Sequence, residues 1–158
     1  MTHTIALIGS QGGHAGQLKL IFTSKVLGKH KAIFITEDTK PKIVESYFLK
    51  KHRTYFFRKD YLAMYPQRYF STFLKLRKIF QKEKITFIIT NGAQISLPAV
   101  LAAKSLDIPS LFIDTVIRVK TPNWSAKACY PLVDIFLVQH QSMIKKYGKK
   151  AQYRGGIL

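Results

Sequence analysis

Short apolar runs recur along the chain with helical patterns between them, and this alternation constrains the fold more than any other feature. Three of the runs, IALI from Ile5, FIIT from Phe87 and IFLV from Ile135, contain almost no polar residue. A strand with one solvated face would alternate apolar and polar residues, whereas a strand of a parallel sheet is covered on both faces. The alternation therefore predicts an α/β fold: a Rossmann-like, mainly parallel sheet with helices on both faces.

The same pattern predicts where the elements lie. Predicted strands are Thr4–Ile8, Lys31–Ile35, Arg53–Phe57, Thr86–Thr90, Ser110–Asp114 and Ile135–Val138. Predicted helices are His14–Leu27, Pro41–Leu49, Gln67–Gln81, Gln94–Leu106, Trp124–Tyr130 and Gln141–Tyr147. A chain of 158 residues has the size of one ordinary domain, and no repeat or linker divides it, so a single domain over residues 1–158 is expected.

The chain is strongly basic. It has 26 Lys and Arg residues and 8 Asp and Glu residues, which gives a formal net charge of +18. Such a chain attracts polyanions, which include nucleic acid, an anionic membrane surface and phosphorylated substrates. No run of about 18 uncharged apolar residues is present, and the N-terminus lacks the basic start of a signal peptide. Neither a transmembrane helix nor a signal peptide is expected, and membrane contact would be peripheral.

The cysteine content excludes two kinds of structural feature. Cys129 is the single cysteine, so neither an internal disulfide nor a cysteine-based metal cluster can form. This favours a reducing cytoplasmic environment. No motif for a metal ion or an organic cofactor is recognisable, so neither is expected.

Four loops follow the carboxyl ends of predicted strands, where ligands bind in open α/β sheets. They are Gly9–His14, Asn91–Gln94, Thr115–Asn123 and Gln139–Gln141. The first reads GSQGGH, and its Ser10, Gly12 and Gly13 could hold a phosphate at a helix N-terminus, with His14 as a candidate base. A plain tight turn with a polar helix start explains the loop equally well. The spacing matches neither a Walker loop nor the dinucleotide fingerprint, although Glu37 and Asp38 leave a weak dinucleotide interpretation open.

Two further loops carry candidate site residues. TNGA places Asn91 and Gly92 after a strand, where Asn91 could bind a ligand or simply cap the turn. FIDTVIRV places Asp114 at a strand end and Arg118 beyond it. An acid there can act as a base and an arginine can hold a phosphate, but a structural acid–arginine pair is the more common case.

The stretch from Tyr47 to Lys84 is rich in aromatic and basic residues, with only two acids, Asp60 and Glu83. Its helical pattern puts four cations on one stripe: Arg68, Lys75, Lys78 and Lys82. This is typical of an element that contacts an anionic membrane surface, and we expect these four residues to do so. Two alternatives are a single-stranded nucleic-acid interface, which is less favoured, and an aromatic core stripe with a solvated basic back.

Taken in order, these motifs form a series that resembles the motif series of a known protein family and covers nearly the whole chain. The matching residues are Gly9, Ser10, Gly12, Gly13, His14, Thr90, Asn91, Gly92, Ala93, Pro98, Asp114, Arg118, Val119, Tyr130, Pro131, Asp134, Phe136, Val138, Gln139, Tyr153, Gly155 and Gly156. The series is similar to the acceptor-side subunit of the two-subunit N-acetylglucosaminyltransferase of the dolichol pathway (the asparagine-linked-glycosylation-fourteen family), especially bacterial members serving capsular and exopolysaccharide synthesis. It is more distantly similar to the N-terminal half of the transferase that acts on the peptidoglycan lipid intermediate.

The resemblance implies the N-terminal half of a two-domain GT-B glycosyltransferase, with a separate donor-side subunit as partner. It implies inverting transfer from a UDP-sugar, bound at a shared cleft, to a polyprenyl-diphosphate-linked sugar acceptor at the cytoplasmic face of the membrane. His14 and Asp114 are then the candidate catalytic residues. The candidate phosphate and acceptor ligands are Ser10, Gly12, Gly13, Asn91, Gly92 and Arg118. Relatives most often carry Glu where this chain has Asp114, which moves the carboxylate by about one methylene.

Overall fold

Seven parallel strands form one sheet in a computed structural model that describes residues 2–10, 12–38, 53–58 and 66–156. The strands are β1 (Thr4–Ile8), β2 (Lys31–Asp38), β3 (Arg53–Arg58), β4 (Phe87–Thr90), β5 (Ser110–Ile113), β6 (Ile135–Val138) and β7 (Ala151–Tyr153). The helices are α1 (Gly13–Ile21), α2 (Ser24–Leu27), α3 (Pro66–Lys82), α4 (Ser96–Lys104), α5 (Trp124–Cys129) and α6 (Ile144–Tyr147), with a 3₁₀ turn at Gln141–Met143. The predicted parallel α/β sheet is confirmed.

The strand order is β3-β2-β1-β4-β5-β6-β7, so the chain leaves β1 toward one edge and later returns to its other side. Ile8 pairs with Ile35 of β2 and with Thr90 of β4, which sets the carboxyl ends of β1 and β4 level, while β2 continues to Asp38. A reversal of strand order of this kind opens a crevice outside the carboxyl ends of the two strands concerned. The loops after β1 and β4 border that crevice.

Each face of the sheet is covered by helices. On one face Ala6 and Ile8 pack with Phe80 of α3 and Val100 of α4. On the other face Leu7 packs in a second cluster with Leu18 of α1. Successive residues of β1 thus enter opposite cores, which explains why its sequence is apolar throughout.

The structure departs from several of the predicted elements, by one to three residues at most ends and by more elsewhere. The predicted helix His14–Leu27 is two helices, because Phe22 leaves the helical conformation and Thr23 Oγ1 accepts a 3.4 Å hydrogen bond from the Val26 amide to start α2. Strand β5 ends at Ile113, one residue earlier than predicted. Strand β7 was not predicted, since three residues are too few to show a period. The predicted helix Pro41–Leu49 lies outside the described residues.

A charged cluster ties α3 to the amino edge of the sheet. The Glu83 carboxylate, 3% exposed, accepts hydrogen bonds from Tyr55 Oη at 2.6 Å and from Arg53 Nη1 at 2.5 Å. Lys31 Nζ lies 3.3 Å from its other oxygen. The Tyr55 hydrogen bond is the largest cause that lowers the pKa of Glu83 to about 2. This cluster lies at the opposite edge of the sheet from the crevice.

Candidate functional site

His14, at the start of α1, is fixed to the end of β4 by two hydrogen bonds. Its Nδ1 lies 2.9 Å from the backbone carbonyl of Asn91, and the Asn91 side-chain amide donates to the His14 carbonyl at 2.7 Å. A carbonyl only accepts, so Nδ1 carries the proton and the lone pair of a neutral ring lies on Nε2. The predicted site residues His14 and Asn91 are therefore brought together as one unit.

The protonation of His14 suits a base. Burial lowers its pKa below the ordinary value, the hydrogen bond to Asn91 partly offsets this, and the positive charge of Arg118 lowers it further. A neutral imidazole with a free Nε2 can accept a proton near neutral pH.

Two glycines permit this close packing. A Cβ on Gly92, whose φ is +114°, would lie 2.9 Å from Cε1 of His14. A Cβ on Gly9 would lie 2.5 Å from Oδ1 of Asn91. The GSQGGH and TNGA motifs thus meet at the crevice between β1 and β4. His14 of the first motif needs glycine at position 92, and Asn91 of the second motif needs glycine at position 9.

The glycine loop before α1 leaves its backbone accessible. Gly12, with φ +86°, precedes the first helical residue, and a Cβ on Gly12 or Gly13 would meet no atom within 4 Å. The Ser10 carbonyl accepts the Ala15 amide at 3.1 Å, which closes the turn. The N-terminus of α1 offers amide groups and positive potential in this open space, as a phosphate would require.

Asp114, the other candidate catalytic residue, follows β5 and is 2% exposed. Its Oδ1 accepts the Thr115 amide at 2.9 Å. Burial raises the pKa of Asp114, and the Thr115 hydrogen bond and the nearby Tyr147 hydroxyl oppose the rise. Gln17 of α1 donates to the Asp114 carbonyl at 3.0 Å, which joins this loop to the His14 helix.

Arg118 is exposed and lies one turn beyond Asp114, with its amide bonded to the Thr115 carbonyl at 3.1 Å. Among the described side chains the ion pairs are those of Glu83, so Arg118 and Asp114 form none. The structural acid–arginine pair considered from the sequence is therefore absent from this loop. The guanidinium is presented to the solvent beside the crevice.

Several residues other than Asn91 have buried polar atoms at this edge and were not predicted as site residues. Within the described ranges, four side-chain oxygens there have no hydrogen-bond partner: Asn91 Oδ1, Thr115 Oγ1, Ser125 Oγ and Gln139 Oε1. Buried polar atoms nearly always find partners, so a group of unpartnered atoms is typical of a polar ligand site. Three of them lie within two residues of the ends of β4, β5 and β6, in loops that the sequence had marked for their polar residues.

Ser125, in the first turn of α5, had no such signal in the sequence. Its Oγ would lie 3.7 Å from a Cβ on Gly92, on which the His14 ring also closes. Ser125 and His14 therefore both approach the position that a Cβ on Gly92 would occupy. Asn123 Oδ1 accepts the Ser125 amide at 3.3 Å and fixes the start of the helix.

Two other predicted features lie apart from the crevice. The four cations expected at the membrane, Arg68, Lys75, Lys78 and Lys82, are all exposed on α3. Glu37, considered for a ribose, is 2% exposed and accepts the Ile95 amide at 2.5 Å, so its carboxylate holds the start of α4.

An apolar groove of about 610 Å³ runs between α3 and α4. It is lined by Tyr69, Phe70, Phe73, Pro98, Leu101, Lys104 and Ser105. Phe70 and Leu101 at its walls are 64% and 39% exposed. None of the helices in the described ranges is long and apolar enough to span a bilayer.

The fold and the position of the site define a class: a Rossmann-like domain equivalent to the N-terminal half of a GT-B glycosyltransferase. A family model described as "Oligosaccharide biosynthesis protein Alg14 like" matches residues 4–157. The chain belongs to this Alg14-like family.

Solved structures share the fold at low sequence identity. The chain aligns to MurG of Acinetobacter baumannii with a TM-score of 0.75 and 12% identity, over 99% of this chain and 46% of MurG. A UDP-GlcNAc 2-epimerase of Methanocaldococcus jannaschii gives 0.72 and 12%, over 97% and 45%. A glycosyltransferase of Rickettsia africae gives 0.71 and 16%, over 96% and 42%. The chain thus spans less than half the length of these proteins. No curated protein sequence matches it significantly.

Proposed function

We propose that this chain is the non-donor subunit of a heteromeric inverting glycosyltransferase. It would act with a separate donor-side subunit to move a sugar from a UDP-sugar to a polyprenyl-diphosphate-linked acceptor in capsular or exopolysaccharide synthesis. Membership of the Alg14-like family supports this, as does a match to less than half of longer glycosyltransferase-fold proteins. Two similar structures are described with UDP or UDP-GlcNAc bound, in agreement with a nucleotide-sugar partner.

The observation that carries the proposal is the half-buried imidazole of His14, which is fixed at the crevice and has a lowered pKa. In inverting transfer an acceptor hydroxyl oxygen attacks the anomeric carbon of the donor sugar, and the bond from that carbon to UDP breaks. The hydroxyl proton then passes to a base, which we assign to Nε2 of His14. Asn91 holds the ring in the tautomer that leaves this nitrogen free.

The residues around His14 supply binding. Open amides at Gly12 and Gly13 and the exposed guanidinium of Arg118 are suited to a diphosphate. The unpartnered hydroxyl of Ser125, across Gly92 from His14, is suited to an acceptor hydroxyl. Asp114, predicted as a second catalytic candidate, is buried, and its Oδ1 already accepts the Thr115 amide. We therefore assign it the positioning of the loop that carries Arg118.

The cations of α3 would place the subunit on the cytoplasmic face of the membrane. Arg68, Lys75, Lys78 and Lys82 are exposed on the same helix as Phe70 and Leu74, which are 64% and 40% exposed. Basic and apolar side chains on one helix surface fit an anionic lipid interface.

The test is co-expression of this chain with a chain that resembles the donor half of a GT-B enzyme. Transfer from a panel of radiolabelled UDP-sugars to lipid extractable from host membranes is measured for each chain alone and for the pair. We expect transfer by the pair well above that of either chain, and its loss in His14→Ala. The matched control is His30→Ala, at the opposite edge of the sheet, which retains transfer. Full transfer by this chain alone would contradict the subunit assignment.

A further inference from the structure

The loop between β5 and α5 exposes apolar side chains beside the candidate site. In this rim segment, residues 115–124, Ile117 is 79% exposed, Val119 is 48% exposed and Trp124 is 59% exposed. Single exposed apolar residues are common on soluble proteins, but three large ones within eight residues mark an interaction surface.

Hydrogen bonds fix the backbone of the rim segment. The exposure of these side chains is therefore a property of the folded loop. The Val116 carbonyl lies 2.5 Å from Nε2 of His140, and the Val119 carbonyl accepts from Ser142 Oγ at 3.2 Å. The Asn123 amide donates to Tyr147 Oη at 3.2 Å. The fold therefore presents the apolar side chains outward from a pinned backbone.

The charge around the segment has one sign. Arg118, Lys120 and Lys127 are exposed, and the sequence has no acid from Thr115 to Val133. Exposed apolar side chains among cations are complementary to an anionic lipid surface. A tryptophan at the edge of such a surface is in its preferred environment, between headgroups and acyl chains.

The segment also continues the surface assigned to the membrane. Helices α3, α4 and α5 lie on the same face of the sheet, with α4 between the other two. Each runs antiparallel to the strands, so the first turns of α3 and α5 lie at the carboxyl edge. Phe70, in the first turns of α3, and Trp124, the first residue of α5, are thus exposed at the same edge of the molecule.

We propose that the rim segment inserts into the surface of an anionic bilayer, with Ile117 and Trp124 at the headgroup boundary. The part of the carboxyl edge beside α5 then lies against the lipid, next to the crevice that holds His14 and that the donor-side subunit would share. This inference rests on the proposed function and adds the orientation of the site and a contact separate from the cations of α3.

Trp124 is the single tryptophan of the chain, so its fluorescence reports on this segment directly. Purified full-length protein is mixed with vesicles of phosphatidylglycerol and phosphatidylcholine, and with vesicles of phosphatidylcholine alone. We expect a blue-shifted emission with the anionic vesicles, protection from iodide, and quenching by phosphatidylcholine brominated on its acyl chains. Protein that sediments with anionic vesicles while Trp124 stays unshifted and open to iodide would overturn the proposal but leave docking through α3 intact.

Matched variants separate the rim from the rest of the surface. Ile117→Gln should weaken partitioning to anionic vesicles by about tenfold, since the transfer of one large apolar side chain is lost. Leu20→Gln, 68% exposed on α1 on the other face of the sheet, should change it less than about twofold. Equal effects of the two variants overturn the proposal. So does a Trp124 shift that needs the donor-side chain and no vesicles, because the rim would then be a protein interface.

The membrane contact of α3 is tested independently of the rim segment by a combined charge-reversal variant. It carries Arg68→Glu, Lys75→Glu, Lys78→Glu and Lys82→Glu. If wild-type protein does not sediment with anionic vesicles at all, both membrane contacts fall. The assignment as a glycosyltransferase subunit is then still judged by transfer in the co-expressed pair.

Discussion

The Nδ1 atom of His14 lies 2.9 Å from the Asn91 carbonyl, and the Asn91 amide returns a hydrogen bond to the His14 carbonyl at 2.7 Å. The two residues are 77 positions apart in the chain and come from loops after neighbouring strands. This reciprocal pair fixes both the position and the tautomer of the imidazole. The site therefore depends on the strand order, which places β1 beside β4, and not on either motif alone.

Reversal of the Asn91 donor should weaken the fold. In Asn91→Asp, a carboxylate oxygen replaces the amide that now donates to the His14 carbonyl, so two acceptors face each other in a buried position. We expect a loss of about 1–3 kcal/mol in the free energy of unfolding, measured by urea denaturation. Asn123→Asp is the control, because aspartate caps a helix as well as asparagine does, and it should change stability by less than about 0.5 kcal/mol.

The need for glycine at position 92 has two causes that can be separated. In Gly92→Ala the positive φ of +114° is strained, and the new methyl meets His14 at 2.9 Å. In Gly155→Ala the φ of +98° is also positive, but nothing lies within 4 Å. We expect both variants to lower the melting temperature, Gly92→Ala by clearly more. Strain alone costs about 1–3 kcal/mol. Equal losses would show that His14 does not press on position 92.

The sequence allowed prediction of the sheet and of four loops at its carboxyl edge, because burial on both faces leaves continuous apolar strands. It also predicted His14, Asn91 and Gly92 as site residues, because they lie in polar loops that directly follow buried strands, and the structure places the three together. It did not identify Ser125, which lies in a short helix, because no local pattern shows that its hydroxyl lacks a partner. It also did not show that Tyr147 lies beside Asp114, which depends on packing of α6 against the loop.

The pKa of Glu83 predicts a loss of stability in acid. Its folded pKa of about 2 is below the ordinary value, so its contribution is complete above about pH 4.5 and is lost as pH falls toward 2. Glu83→Gln should therefore be less stable than wild type at pH 6 by about 1–3 kcal/mol, with the difference shrinking below pH 4.5. Asp107→Asn, at an exposed position, is the control and should follow the wild type throughout. A constant difference between pH 6 and pH 3 would contradict the assignment.

Two aspartates should respond to the same substitution with opposite signs. Burial raises the pKa of Asp114, so its charged form is penalised and the stability that it contributes falls as pH rises through its folded pKa. Asp114→Asn keeps the hydrogen-bond acceptor and removes the buried charge, and should be at least as stable as wild type at pH 7. The two proteins should converge in acid, where Asp114 is neutral.

Asp134 is the matched case. Burial alone would raise its pKa, but hydrogen bonds from the amide and hydroxyl of Ser110, at 2.7 and 2.8 Å, lower it overall. Asp134→Asn should therefore destabilise the protein at pH 7, by about 1 kcal/mol. Denaturant unfolding at pH 7 and at low pH measures both variants. Destabilisation by Asp114→Asn as large as that by Asp134→Asn would show that the Asp114 charge supports the fold.

Ser125→Ala separates a ligand contact from a structural one. The hydroxyl is buried without a hydrogen-bond partner in the described part of the chain, so its removal breaks no bond in the free protein. We expect the free energy of unfolding to change by less than about 0.5 kcal/mol. The KM for the lipid-linked acceptor should rise about fivefold to tenfold in the co-expressed pair, as for the loss of one hydrogen bond. Ser110→Ala is the reverse control: it breaks the 2.8 Å bond to Asp134, lowers stability and leaves the acceptor KM unchanged. An unchanged KM in Ser125→Ala, at unchanged stability, would remove Ser125 from the acceptor site.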